Sequence, residues 1–303
     1  MTKKGKIALW VALGAILLGL VLTAVGGMMV GFNLSKLGTM TFDTVSHPVE
    51  GEVERITVRD VESTVLLTPS EDDQCRVVTQ DNQEIYHTVT LEEGHLTVTR
   101  IDRRAWYQKL NFWWNQSLAV EVQLPRRVYG ALLLESVSGA IRVEEGFSFS
   151  EVTLTTVSGD IAFTGAVSGE LQGSTTSGNL TLRSGSCEAL SLFTVSGNTD
   201  LADVRAKSLS AEGTSGNLTL ERVTVEETAT LETVSGEIVL EESDSGSLEL
   251  TTVSGNVTGT LLTGKTFRTE TVSGRITVPE NDSAGGQCRI STVSGNVSLS
   301  LAK

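Results

Sequence analysis

The chain has 303 residues and a formal net charge of −14, from 37 acidic and 23 basic side chains. Nucleic acids select basic surfaces, so this composition argues against a nucleic-acid partner. The three cysteines, Cys75, Cys187 and Cys288, are odd in number and far apart, so no disulfide framework is expected.

The N-terminus carries a long uncharged segment. Residues 7–32 contain no charged side chain, whereas Lys3, Lys4 and Lys6 precede them and acidic residues follow from Asp43. The run exceeds the roughly 20 residues needed to cross a bilayer, and the charge asymmetry places the N-terminus inside. We predict a cytoplasmic tail over 1–6, one transmembrane helix over 7–32, a linker over 33–42 and an extracytoplasmic remainder. A cleaved signal peptide is the alternative, although its apolar region is normally only about 7–15 residues long.

Residues 43–130 are rich in predicted strands but lack a regular repeat. Two alternating segments, 88–91 and 95–99, flank Glu92-Glu93-Gly94, which predicts a β-hairpin. Terminal repeats of a repetitive fold are normally atypical, so we expect irregular coils or a cap here. A separate β domain is the alternative.

An aromatic insert over 103–116 interrupts this region. Three of the four tryptophans lie within nine residues, beside Arg103 and Arg104. Such a segment can cover exposed strand edges, lie at a lipid surface or bind a ligand. Its candidate binding residues are Trp106, Tyr107, Phe112, Trp113 and Trp114.

Nine of the twelve Ser-Gly steps in the second half of the chain recur at intervals of 19 to 21 residues. A period this regular indicates one structural unit copied along an axis, here over residues 131–303. The glycines are Gly139, Gly159, Gly178, Gly197, Gly216, Gly236, Gly255, Gly274 and Gly295.

Apolar residues occupy fixed columns on both sides of each glycine. Pairs such as Val152 and Leu154 stand seven and five residues before it, and pairs such as Ile161 and Phe163 stand two and four after it. Alternation with period 2 is typical of strands that bury one face, and such units bury their columns by stacking. The sequence therefore predicts an all-β fold, a right-handed parallel β-solenoid (β-helix) of about 19-residue coils.

The buried phase changes at each Val-Ser-Gly step, so the chain must bend there. Glycine suits a bend because it accepts positive φ, which makes the nine glycines candidate structural bends. The repeated Thr-Val-Ser tripeptide, as in Thr156-Val157-Ser158, stacks at this corner. Either the Thr or the Val can point inward.

Catalytic motifs are missing from the sequence. The three histidines, His47, His87 and His95, lie outside the repeats and show no metal-ligand spacing. No phosphate-binding glycine loop, Cys-x-x-Cys pair or Gly-x-Ser-x-Gly pattern occurs. We therefore predict no enzyme activity, no cofactor, no metal site and no catalytic residue.

The segment Ala119-Val120-Glu121-Val122-Gln123-Leu124-Pro125, followed by Ser-Gly steps with Asp or Asn, resembles a bacterial domain-of-unknown-function family described as adhesins. The resemblance covers about residues 43–303. It implies a β-helical extracytoplasmic domain, often membrane-anchored and sometimes encoded with envelope-stress systems. No catalytic residues transfer from it.

The patterns predict a single-pass, membrane-anchored β-solenoid, and the resemblance implies that it acts as an adhesin-like binding or structural module of the bacterial cell envelope. Its partners would be a cell-wall polymer, a host surface or an envelope protein. One alternative is a sensor or modulator in an envelope-stress response, with the aromatic insert as its contact. Another is a polysaccharide-acting β-helix enzyme. The sequence leaves the ligand and the oligomeric state open.

Overall fold

A computed structural model describes Gly19 and residues 41–104, 118–282 and 285–302. The three longer stretches consist of strands, turns and loops. No helix among the described residues is long and apolar enough to cross a membrane. Apart from Gly19, the predicted anchor over 7–32 lies outside the described residues, as do the five candidate binding residues of the aromatic insert.

Seven strands precede the Ser-Gly repeats and sixteen belong to them. The first seven are β1 (Asp43–Val49), β2 (Arg55–Arg59), β3 (Thr64–Pro69), β4 (Cys75–Asp81), β5 (Ile85–Glu92), β6 (His95–Asp102) and β7 (Ala119–Leu124). The others are β8 (Val128–Glu135), β9 (Ile141–Val143), β10 (Ser148–Thr156), β11 (Ile161–Val167), β12 (Glu170–Thr175), β13 (Leu180–Ser196), β14 (Thr199–Ala202), β15 (Arg205–Ser215), β16 (Leu218–Glu221), β17 (Thr224–Thr233), β18 (Ile238–Thr252), β19 (Val257–Leu261), β20 (Thr266–Ser273), β21 (Ile276–Thr277), β22 (Gln287–Ser294) and β23 (Val297–Leu301).

These strands build two faces of a β-solenoid. The first face contains the strands before each corner, stacked in parallel in the order β6, β2, β8, β10, β12, β13, β15, β17, β18, β22, β20. The second face contains the strands after each corner, in the order β7, β3, β9, β11, β13, β14, β16, β18, β19, β23, β21. The predicted all-β solenoid is confirmed.

The core lies between the two faces and consists of the predicted columns. Val152 pairs with Leu171 along the axis, and Leu171 pairs with Leu190. All three are at most 2% exposed, because each coil covers the apolar residues of the next. The three cysteines are free thiols, and Cys288 is buried in this column.

Antiparallel strands cover the N-terminal end of the stack. β5 pairs antiparallel with β6 through the predicted hairpin, whose turn residues Glu93 and Gly94 both have positive φ. β4 pairs antiparallel with β7, and β1 pairs antiparallel with β4. Among the described residues β1 pairs only with β4, and Pro48 within it has no backbone N–H to donate.

The coils at the C-terminal end do not stack in chain order. β22 lies between β18 and β20, and β23 lies between β19 and β21. The last coil of the chain is thus inserted into the stack, and the coil of β20 and β21 forms its tip.

A buried lysine joins the displaced segments at this end. Lys265 is 1% exposed, and its Nζ lies 2.5 Å from Asp244 Oδ1. The same ammonium donates to the carbonyl oxygens of Ser245 and Gly285 and to the hydroxyl of Thr263. Lys265 thereby ties the start of the inserted coil to the coil below it.

Candidate functional site

The repeated Thr-Val-Ser-Gly corner is the most regular surface feature of the stack. Its threonine points inward: Thr156, Thr194 and Thr252 are at most 2% exposed. The Thr156 hydroxyl donates to the Gly139 carbonyl of the neighbouring coil at 3.2 Å and accepts from the Gly159 N–H. The buried threonines thus satisfy backbone groups that the bend leaves unpaired.

Glycine is required at the corner because the neighbouring backbone approaches too closely for a side chain. A Cβ at Gly197 would lie 1.9 Å from the Gly178 carbonyl oxygen, and one at Gly255 would lie 1.8 Å from that of Gly236. For all nine corner glycines the distance to the nearest carbonyl oxygen is between 1.8 and 2.1 Å. Each glycine therefore leaves room for the coil beside it.

Positive φ is not the general reason for these glycines. Among the nine, only Gly216 has a positive φ, 156°. The left-handed conformation recurs instead six residues later, where the second face ends and the return begins: φ is 50° at Ser184, 57° at Asp203, 51° at Arg222 and 47° at Glu242. The expected role of glycine is thus corrected, since a steric close approach fixes it rather than backbone strain.

The middle residue of each corner, a valine in most coils, points outward, and these residues form a largely apolar ridge along the stack. We call this column the corner ridge. Most of its valines, including Val157 and Val253, are between 44% and 49% exposed. The ridge consists, in axial order, of Val61, Val137, Val157, Thr176, Val195, Thr214, Val234, Val253, Val293 and Val272. At about 4.8 Å per coil, ten residues span on the order of 45 Å.

Backbone hydrogen bonds hold the ridge in register. Most corner serines donate their N–H to the ridge residue of a neighbouring coil, as from Ser158 to Val137 at 2.8 Å and from Ser254 to Val234 at 2.9 Å. The residue after the glycine adds an outer ladder. Asn198 donates its N–H to Asn179 Oδ1 at 2.9 Å, and Asn217 donates to Asn198 Oδ1 at 3.0 Å. The corner thus presents a rigid, evenly spaced strip of methyl groups flanked by hydroxyls and amides.

A buried charged cluster lies in the N-terminal cap. Both ring nitrogens of His87 face carboxylates: Nε2 is 2.8 Å from Asp60 Oδ2, and Nδ1 is 2.6 Å from Asp81 Oδ1. Arg100 Nη1 lies 3.7 Å from Asp60 Oδ1, and its Nη2 donates to Glu62 at 2.8 Å. The His87 side chain is 1% exposed, so the ring is enclosed.

The geometry assigns charge to both His87 and Asp60. Burial disfavours the charged imidazole, but hydrogen bonds to Asp60 and Asp81 outweigh it and raise the pKa of His87 above its ordinary 6.5. Burial likewise opposes ionisation of Asp60, but hydrogen bonds from His87 and Ser63 and the charge of Arg100 hold its pKa below the ordinary 3.8. An imidazolium that donates from both nitrogens has no lone pair left for base catalysis, so the cluster fastens the cap.

Sequence reasoning missed this cluster, although one signal pointed to it. Asp60-Val61-Glu62-Ser63 occupies the same place as Ser136-Val137-Ser138-Gly139 in the next coil, so Asp60 stands where other corners have a buried hydroxyl. Its Oδ1 accepts three backbone N–H groups within 2.8 Å. The described residues contain no group of three or more His, Cys, Asp or Glu side chains that could hold a metal ion.

The family model of Toastrack DUF4097 matches residues 53–302. A candidate adhesin from Bacteroides fragilis is similar in structure, with 14% identity and a TM-score of 0.51, over 86% of this chain and 98% of its own. A candidate lipid-binding protein from Parabacteroides distasonis is 15% identical with a TM-score of 0.53, over 87% and 98%. No curated protein matches the chain. At these identities the structural likeness shows the fold alone.

Proposed function

Because the chain belongs to the Toastrack DUF4097 family, we propose that it is a non-enzymatic, adhesin-like binding module of the bacterial cell envelope. We further propose that residues 7–32 anchor it in the membrane, that the solenoid is displayed outside the cytoplasm and that it winds to the right. The family membership agrees with the resemblance seen in the Ser-Gly repeats.

The corner ridge is the observation that carries this proposal. A strip of equal, evenly spaced apolar and hydroxyl groups suits an extended ligand better than a compact one, because the same contact repeats at every coil. Ridge valines that are nearly half exposed, as at Val157, Val234 and Val253, lose water-accessible apolar area when such a ligand lies along them. Wall polymers and lipid surfaces are both ligands of this kind.

The test is binding of the full chain, reconstituted in vesicles, to isolated cell-wall polymers and, in parallel, to protein-free vesicles. The ridge variant carries Val157→Asn, Val234→Asn and Val253→Asn. The matched control carries Thr153→Asn, Thr230→Asn and Thr251→Asn, which lie on the outer side of the first face in the same three coils. Both sets place polar amides outside the core, at exposed valines in the ridge variant and at half-buried or exposed threonines in the control.

We expect the chain to bind one of the two ligands, with at least tenfold weaker binding by the ridge variant and unchanged binding by the control. A third variant, Trp106→Ser with Trp113→Ser and Trp114→Ser, tests the aromatic insert separately. Loss of binding in that variant alone would move the binding site from the ridge to the insert. No binding to either ligand would overturn the proposal.

A further inference from the structure

The two ends of the solenoid differ in how their strand edges are covered. Antiparallel strands cover the N-terminal end, whereas β20 and β21 pair only with β22 and β23 among the described residues. The coil of β20 and β21, residues 266–278, is called the tip coil below. Its outer edge carries backbone groups of the kind that accept another strand.

Side-chain exposure shows how open this edge is. Val272, the ridge residue of the tip coil, is 84% exposed, whereas Val253 and Val293 in the coils beneath are 44% and 49% exposed. Ile276 belongs to the inner column that holds Val297 and Val257, yet it is 38% exposed, against 1% and 0% for those two. An apolar core column therefore ends at the tip without cover from the described residues.

We infer that the tip coil is a self-association surface, on which a second copy of this chain adds its own tip coil edge to edge. Two identical copies that meet at the same end are related by a two-fold axis, which makes the two β20 strands antiparallel. This inference rests on the binding role proposed above, and it names a second copy of the same chain as a partner in that role.

The charges of β20 match this arrangement. A two-fold axis through Thr269 places Arg268 of each copy opposite Glu270 of the other, so one pairing forms two cross-strand ion pairs. If the two-fold axis passed through Glu270 instead, the two Glu270 carboxylates would lie opposite each other and repel. The tip coil carries Arg268, Glu270 and Arg275, so it does not share the strong negative charge of the whole chain.

The loop after β21 limits which residues can pair. Asn281 Oδ1 accepts the Phe267 N–H at 2.8 Å and so occupies the start of the β20 edge. Pairing therefore begins after Phe267, in the segment that contains Arg268 and Glu270. Thr269 occupies the inner column of Leu250 and Ile290, which places a smaller, more polar side chain at the open end.

The experiment is sedimentation velocity of the full chain in detergent, with charge variants at the tip. Arg268→Glu and Glu270→Arg each place like charges opposite one another, whereas the double variant restores opposite charges in exchanged positions. Glu232→Arg is the matched control, because Glu232 stands four residues before its corner glycine, as Glu270 does, but lies in a coil covered on both sides. Self-association in detergent needs no lipid or polymer ligand, so its outcome is independent of the envelope-binding test.

We expect the wild-type chain and the Glu232→Arg control to form dimers. Each single tip variant should dissociate at least tenfold more readily, and the double variant should recover. A monomeric wild-type chain would overturn the inference, and so would a dimer that ignores the tip charges. Protection of the Thr269 and Thr271 amides from hydrogen exchange in a monomer would show that a segment of the same chain covers the tip instead.

Discussion

Replacement of a corner glycine by alanine tests the packing of the whole stack. In Gly197→Ala, the new Cβ would lie 1.9 Å from the Gly178 carbonyl oxygen. Contacts of a Cβ below 3.0 Å are essentially never observed, so the two coils would have to separate locally by about 1.1 Å, the difference between these distances. Coils about 4.8 Å apart cannot absorb such a shift without losing hydrogen bonds.

The hydrogen bonds that join the two coils at this corner include two on the N-terminal side of Gly197. Ser196 donates its N–H to the Thr176 carbonyl at 2.9 Å, and the Thr194 hydroxyl donates to the Gly178 carbonyl at 3.3 Å. Lengthening each by 1.1 Å breaks both, at about 0.5–1.5 kcal/mol apiece. Overpacking adds about 1–3 kcal/mol. The substitution should therefore destabilise the chain by about 2–6 kcal/mol, and Gly255→Val should exceed this because it inserts a larger side chain at a 1.8 Å approach.

Gly213→Ala is the matched control, because its Cβ would lie no closer than 3.6 Å to its nearest neighbour, Thr233 Oγ1. Reduced freedom of the unfolded chain should make that substitution neutral or stabilising by up to about 1 kcal/mol. Urea unfolding followed by circular dichroism, with hydrogen exchange to localise the effect, compares the two. Equal unfolding midpoints for Gly197→Ala and Gly213→Ala would refute the steric explanation of the corner.

Two further predictions concern buried charges. The pKa of His87 is raised in the folded chain, so its contribution to stability is complete below pH 6.5 and is lost as the pH rises through the folded pKa. The pKa of Asp60 is lowered in the folded chain, so its contribution to stability is present above pH 3.8 and is lost as the pH falls through the folded pKa. His87→Gln should accordingly flatten the alkaline side of a plot of melting temperature against pH, and an unchanged curve would contradict the assigned charge. Lys265→Met should cost about 3–5 kcal/mol because it leaves the Asp244 carboxylate, whose side chain is only 10% exposed, without its cationic partner, and Lys265→Met with Asp244→Leu should recover most of this loss. Equal unfolding free energies for the single and double variants would show that the ion pair does not hold the inserted coil.

The repeat could be predicted from the sequence because each coil buries its apolar residues in the same way. The period-2 columns, such as Val152 with Leu154, indicated a buried side for each strand, and the change of phase indicated a corner. Which side chain faced inward could not be predicted, since Thr and Val fit a bend equally well. The hydrogen bond from Thr156 to Gly139 decides it, and that bond depends on the spacing between coils rather than on the order of residues within one.

The order of coils at both ends could not be predicted from the sequence. Adjacent coils recognise each other only through matching apolar columns and backbone hydrogen bonds. Every coil offers nearly the same columns, so β22 can pair with β18 as well as β20 would. The choice depends on contacts outside the repeat, such as Lys265 with Asp244. The His87 cluster escaped prediction for a related reason: Asp60 lies at the corner after β2, whereas Asp81 and His87 lie in β4 and β5, which have no repeat period in common with it.

The two ends of the solenoid are covered differently and so present different surfaces. At the N-terminal end, a buried ion cluster and the antiparallel strands β1, β4 and β5 cover the stack. At the other end, insertion of the final coil leaves residues 266–278 as the tip, with Val272 and Ile276 exposed. Had the coils stacked in chain order, β22 and β23 would form the edge, and Arg268 and Glu270 would be enclosed between neighbours. Insertion therefore determines which charges the tip presents, and a partner that recognises those charges depends on the stacking order rather than on the repeat itself.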